Sequence, residues 1–286
     1  MYNINKTCLI INFWLGDRRK FPTQYDTDKL IFLKKQIEFL TNVENSLDTV
    51  YFSFNVEKEQ YILLSEAINL IPKKINDSKT KINIRNNFDF SYGAWNEITK
   101  KEKDNFDYFI FLEDDYVFSE PKWDSYLLNK FKSKSNMGYL GMAVRELHVY
   151  PEIKTEMGYD KYESIRESFH SVGMTSSENI KKILDKNGSL IEEKNTKEYG
   201  HEDRIELTQT RWSAQYYEHG LENFDVRNEY AVEFQLTDRS EDIWRLFFEW
   251  NDKILIKSLR TVLQPNYAWI VTGKLYSIFI PNIKIF

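Results

Sequence analysis

Between residues 7 and 112 the chain alternates short apolar runs with helix-patterned segments, and this alternation constrains the fold more than any other feature. The runs TCLIINFW (7–14), DTVYFSFN (48–55), KINIRNN (81–87) and FDYFIFL (106–112) have the length of strands. Between the first two, Leu30, Leu33, Ile37 and Leu40 recur at helical spacing over about 28–39. VEKEQYILLSEAINLIP (56–72) reads as a second helix stopped by Pro72, and SYGAWNEITKKEK (91–103) as a third that Ser91 can cap. Strands this continuous in apolar residues are covered on both faces, so the order β-α-β-α-β-α-β predicts an α/β fold with a mostly parallel sheet between helix layers. Ligands of such sheets bind beyond the carboxyl ends of the strands. Asp17, Arg85 to Asn87 and Glu113 to Asp115 all fall at such ends.

Further along, YLGMAVREL (139–147) reads as a fifth strand. In 167–188 a strand or loop leads into a helix that Ser176 or Ser177 can cap and Gly188 can end. YGHEDRIELTQTRW (199–212) enters another helix, and the final quarter is rich in aromatics without any repeat. We expect residues 1–215 to form the main domain and 216–286 a helical, aromatic extension packed on it.

Aromatic residues make up 16% of the 286 residues, ample for a large packed core, and Trp95, Trp212, Trp244 and Trp250 are expected there. A formal net charge of −5 argues against a surface devoted to nucleic acid. The single cysteine, Cys8, lies in an apolar strand run, which excludes an internal disulfide and suits a reducing compartment. No run approaches the roughly 18 consecutive apolar residues that a membrane span requires, and the expected location is cytoplasmic. A homodimer or a peripheral membrane contact is compatible with the aromatic, basic C-terminal segment.

The functional question centres on Glu113-Asp114-Asp115, three adjacent carboxylates set between the apolar runs YFIFL and YVF. Like charges so placed repel, and desolvation disfavours their charged forms. A hard divalent cation such as Mn²⁺ or Mg²⁺ removes the repulsion, and phosphate oxygens can complete its ligand set. The competing reading is a solvated acidic turn. Arg85 and the N–H groups opening the helix at Tyr92, Gly93 and Ala94 would favour an anion.

A hydrophobic strand ending in such a triplet resembles the metal site of GT-A-fold nucleotide-sugar glycosyltransferases, in particular their inverting, family-2-like members. The segment RNNFDFSYGAWNEI (85–98) is similar to the loop and Gly-Ala-x-Asn helix start that hold nucleotide and donor sugar in that family. GHEDRIELT (200–208) is similar to the Glu-Asp pair that supplies their catalytic base. The resemblance implies a nucleoside-diphosphate-sugar donor, an acceptor hydroxyl and a bound Mn²⁺ or Mg²⁺. It gives Asp115 and Glu113 to the metal, with Glu113 and Asp114 facing ribose, sugar or metal-bound water. It places Asp17, Arg18, Arg85, Asn87, Tyr92, Gly93 and Asn96 at the nucleotide and donor sugar. It makes Asp203 the base, with Glu202 beside it as a second carboxylate able to bind the acceptor. The triplet departs from a strict Asp-x-Asp, and the late histidine that often adds a metal ligand has no clear counterpart; His219 is read as a helix-end residue and His170 as lining an acceptor or core site. Two other functions fit the same chain: a non-catalytic nucleotide- or carbohydrate-binding protein, and a sugar nucleotidyltransferase, which would be expected to carry a glycine-rich loop where FWLGDRRKF has one glycine.

Overall fold

The computed structural model describes residues 5–16, 27–142, 144–146, 165–168, 172–191, 201–226, 231–235, 254–259, 263 and 268–271. Its centre is β1 (Thr7–Trp14), flanked by β2 (Thr49–Val56) and β5 (Tyr108–Glu113), both parallel to it. Beyond β2 lies β4 (Ser78–Asn86), again parallel, and then β3 (Lys74–Ile75), which forms a hairpin with β4. On the other side β10 (Gly173–Ser176) runs antiparallel between β5 and β7 (Met137–Gly141), and β11 (Glu222–Asp225) closes the sheet parallel to β7. The result is an eight-stranded, mostly parallel mixed sheet in the order β11-β7-β10-β5-β1-β2-β4-β3.

Helices cover both faces, as the strand patterning requires. Odd residues of β1, Leu9, Ile11 and Phe13, join a core containing Leu33 and Leu40 of α1 (Ile31–Asn42), Leu64 and Ala67 of α2 (Tyr61–Leu70), and Trp123 and Leu127 of α4 (Trp123–Lys132). Even residues Cys8 and Ile10 join Trp95 and Ile98 of α3 (Phe90–Glu102), Ile180 and Ile183 of α5 (Ser177–Asn187), and Trp212 of α6 (His201–Ala214). Each fully buried side chain of this size contributes about 1.5–3 kcal/mol. Cys8 is fully buried, and Trp95 and Trp212 are both core, their ring centroids 5.7 Å apart.

A second sheet, β14 (Ala268–Val271), β12 (Ala231–Gln235), β13 (Ile254–Ser258) and β6 (Tyr116–Phe118), is entered at β6 with only two residues separating it from β5. Tyr116–Phe118 is therefore no continuation of the preceding strand; it pairs antiparallel with β13, and Phe118 stacks on Trp123 with centroids 3.7 Å apart. The C-terminal segment thus contributes strands where a helical, aromatic extension was expected. A small third sheet pairs β8 (Val144–Glu146) with β9 (Arg166–Ser168), so the expected strand over 139–147 is divided at its middle.

Two local expectations shift for identifiable reasons. α1 starts at Ile31 because Asp28 turns the chain first, its Oδ1 accepting the Leu30 N–H at 3.0 Å. Ser91 does not cap α3; the helix begins at Phe90, after Asp89 in the left-handed region, and the Ser91 hydroxyl is used elsewhere. By contrast Ser176 caps α5, its Oγ accepting the Asn179 N–H, and Gly188 ends that helix at φ +70°. No helix among the described residues is long and apolar enough to cross a membrane.

Candidate functional site

Because β1, β2, β4 and β5 are parallel, their carboxyl ends share one edge of the sheet. On the α3 face the register places Glu113, Asn12, Ser53 and Asn83 side by side across β5, β1, β2 and β4. One residue pair lower, the same row reads Phe111, Ile10, Tyr51 and Lys81, so the apolar core gives way to polar groups within a single step of the pleat.

The polar row is bonded into chains. Asn12 Nδ2 donates to Ser91 Oγ at 3.2 Å, and Ser91 Oγ donates to Glu113 Oε1 at 3.0 Å. Asn83 Nδ2 reaches Ser53 Oγ at 3.2 Å. Asn12 is 5% exposed and its Oδ1 has no hydrogen-bond partner among the described residues, a costly state for a buried amide oxygen.

The acidic triplet ends β5 as expected, and its three members are held differently. Glu113 is half-buried and takes the Ser91 hydroxyl. Asp114 is 5% exposed and turns to the first strand, its Oδ2 accepting the Trp14 N–H at 3.0 Å. Asp115 is half-buried, and its carbonyl accepts the Leu259 N–H at 2.6 Å. Gln36 of α1, 1% exposed, donates from Nε2 to the Asp114 carbonyl at 3.0 Å and also to the Tyr116 carbonyl. The turn is thereby fixed from the main sheet, from α1 and from the segment after β13. Sequence reading missed Gln36; its signal is a polar residue on the apolar stripe, three after Leu33 and four before Leu40.

Arg85 lies at the same edge with its guanidinium engaged. Nε pairs with Glu97 at 3.2 Å, and Nη1 donates to Asn55 Oδ1 at 3.1 Å and to the Phe88 carbonyl at 2.6 Å. Gly93 makes that arrangement possible: a Cβ there would stand 2.4 Å from the Phe88 carbonyl oxygen and 2.5 Å from Arg85 Nη2. The Gly93 N–H is bonded within the turn, to the Asp89 carbonyl at 2.9 Å. Tyr92 is buried against Trp95 and Trp212, and Asn96 Oδ1 accepts the Leu190 N–H at 2.9 Å. Asn87 is half-buried in the turn between β4 and α3. Asp89 and Phe90, at φ +56° and +50°, are consecutive non-glycine residues in the left-handed region, a conformation concentrated at functional turns.

Glu202 and Asp203 fall in the first turn of α6. Their side chains, together with Asp17, Arg18, His170, Trp244 and Trp250, lie outside the described residues. His219 ends a 3-10 turn after α6; burial, followed by the charge of Lys186, lowers its pKa from the usual 6.5. Among the described residues, no three His, Cys, Asp or Glu side chains gather into a metal-holding group.

No protein-family model and no curated protein matches the chain. Among solved structures it is similar to CMP:2-keto-3-deoxy-manno-octonic acid synthetase complexed with CTP, at 11% identity and a TM-score of 0.43, covering 77% of this chain and 90% of that one. It is similar to mouse xyloside xylosyltransferase 1 in its apo form, at 11% identity and a TM-score of 0.44, covering 88% and 97%. A third similarity, to S. aureus TarS, has 10% identity and a TM-score of 0.40 over 77% of this chain and 35% of that one.

Proposed function

We propose that the chain is a metal-dependent glycosyltransferase that moves a sugar from a nucleoside-diphosphate sugar to an acceptor hydroxyl with inversion. The observation carrying this reading is the placement of Glu113-Asp114-Asp115 at the carboxyl end of β5, beside the end of β1, in a turn held by Gln36, Trp14 and Leu259. A turn serving only to change direction does not need three carboxylates or a buried glutamine to hold their backbone.

The donor set fits a hard cation. Glu113 and Asp115 offer oxygen ligands at a half-exposed strand end, and Asp114 anchors the turn through Trp14. Among the described residues no three such side chains gather, so an ion held here would share its coordination with a substrate diphosphate and water. When bound, Mn²⁺ or Mg²⁺ would offset the negative charge growing on the leaving diphosphate. Asp203 accepts the proton of the acceptor hydroxyl as its oxygen attacks the anomeric carbon; the new C–O bond forms as the bond to the diphosphate breaks. Glu202, one residue earlier, binds the acceptor. Asp17 and Arg18, just past β1 in the sequence, would bind the nucleoside.

The test is a thermal-shift and calorimetric screen of UDP, GDP, CDP and dTDP, each with Mn²⁺ and with EDTA. Stabilisation by one diphosphate only with the metal present supports the reading and names the donor class. No response to any of them reduces the triplet to a structural turn.

A further inference from the structure

Asn12 interrupts the apolar run of β1, between Ile10-Ile11 and Phe13-Trp14, and is 5% exposed. A buried amide in such a run destabilises the fold unless its polar atoms are bonded. Its nitrogen is bonded, Nδ2 donating to Ser91 Oγ, but its Oδ1 has no hydrogen-bond partner among the described residues.

Counting protons explains the imbalance. A hydroxyl carries one proton, and an ionised carboxylate can only accept. Ser91 gives its proton to Glu113 Oε1, so the Ser91 oxygen is left to accept, and Asn12 serves it from Nδ2. Turning the Asn12 amide over would pair Oδ1 with the Ser91 proton and take that proton from Glu113. The unpaired oxygen in β1 is therefore the counterpart of a bonded oxygen on Glu113.

The turn before α3 aims Ser91 at this bond. Asp89 and Phe90, at φ +56° and +50°, bring the chain into the helix, and Ser91 is its second residue. Strained backbone persists where its surroundings hold it. Here Asn55 Nδ2 donates to the Phe90 carbonyl at 2.8 Å, and Arg85 Nη1 to the Phe88 carbonyl at 2.6 Å. Both donors stand near the carboxyl ends of their strands, β2 and β4, so the turn is fixed to the sheet edge that carries Glu113.

We propose that Asn12 and Ser91 are positioning residues for Glu113, presetting its carboxylate for a divalent cation shared with a nucleoside diphosphate. The proposal rests on the cation reading of the triplet. A glutamate side chain loses rotamer freedom when it is fixed, and this relay takes the loss during folding rather than on binding. The hydrogen-bonding partners of metal-ligating groups are typically worth about 10–100-fold in affinity. The first two carboxylates then have separate supports, Asp114 on the Trp14 N–H and Glu113 on the Ser91 hydroxyl.

The test is calorimetric titration of the full chain with Mn²⁺ in the presence of UDP, GDP, CDP or dTDP, alongside melting of the ligand-free protein. Ser91→Ala should weaken Mn²⁺ binding about 10–100-fold, and Ser91→Thr, which keeps the hydroxyl, should restore it. Asn12→Leu removes the donor to Ser91 and the unpaired acceptor together. It should weaken Mn²⁺ binding about 10-fold while the ligand-free melting temperature stays level or rises. A residue with only a structural role would lower the melting temperature and leave the affinity for the ion unchanged. Wild type that binds no Mn²⁺ with any of the four diphosphates overturns the cation reading and this proposal with it. Wild type that binds Mn²⁺, with Ser91→Ala matching its affinity, overturns this proposal alone. Asn12→Leu binding as tightly as wild type removes Asn12 from the role; if that variant fails to fold, the Ser91→Ala and Ser91→Thr pair decides.

Discussion

The Nε2 of Gln36 donates to the Asp114 carbonyl at 3.0 Å, joining α1 to the acidic turn across 78 residues of sequence. Gln36→Leu leaves the buried carbonyls of Asp114 and Tyr116 without this donor, at a cost of about 1–3 kcal/mol. Urea denaturation should show that loss, and Gln36→Glu should destabilise further because its carboxylate faces two acceptors.

Asp115 uses its carbonyl, not its side chain, to receive the Leu259 N–H. Asp115→Ala should abolish the metal-dependent stabilisation by a nucleoside diphosphate, an effect distinct from any change in the stability of the ligand-free protein. Parallel thermal shifts with Mn²⁺ and with EDTA separate the two effects.

For Asp203→Asn, donor binding measured by calorimetry should be unchanged and turnover should fall about 10²–10⁴-fold, the range of a lost general base. Normal turnover in this variant would remove Asp203 from the role.

Beneath the polar row, Glu102 Oε1 accepts from Lys81 Nζ at 3.0 Å and from the Tyr51 hydroxyl, and Oε2 accepts from Asn105 Nδ2 at 2.9 Å. Burial pushes the Glu102 pKa up, but the hydrogen bonds from Tyr51, Asn105 and Lys81 hold it below the ordinary 4.5. A lowered folded-state value adds stability that is present above the unfolded value and lost as pH falls through the folded one. Acid titration of stability should therefore steepen below pH 4.5, and Glu102→Gln should flatten it. Tyr51 shifts the opposite way, raised above 10.0 first by burial and then by Glu102, so its contribution fades as pH rises past that value.

Trp95 is fully buried, its ring centroid 5.3 Å from those of both Tyr92 and Phe111. Trp95→Ala should cost about 3–5 kcal/mol by calorimetry or denaturant titration.

The central strands were legible because their apolar runs carry the signal of burial on both faces; β1 spans the residues that the sequence marks out. Ser176 and Gly188 were legible because capping is local chemistry. Ser91 was misread for the opposite reason: nothing near it in sequence reveals that Glu113, 22 residues away, takes its hydroxyl. Asn96, whose partner Leu190 is 94 residues distant, and Arg85, which meets Asn55 across 30 residues, likewise have partners that nothing near them in sequence reveals. Tyr116–Phe118 carries an apolar pattern like that of β5; only pairing with β13 assigns it to another sheet. Long-range hydrogen bonds and sheet membership leave little trace in local composition.

Asp114 and Asp115 are the whole length of chain between β5 of the larger sheet and β6 of the smaller one. A joint that short has almost no slack. Any displacement of β6 against β5, whether from a substitution near β13 or from a ligand drawing the sheets together, must be taken up by the torsions of the two carboxylate-bearing residues themselves. The acidic turn is in that sense a mechanical gauge as well as a candidate ligand set, and changes made far off in the smaller sheet should register there first.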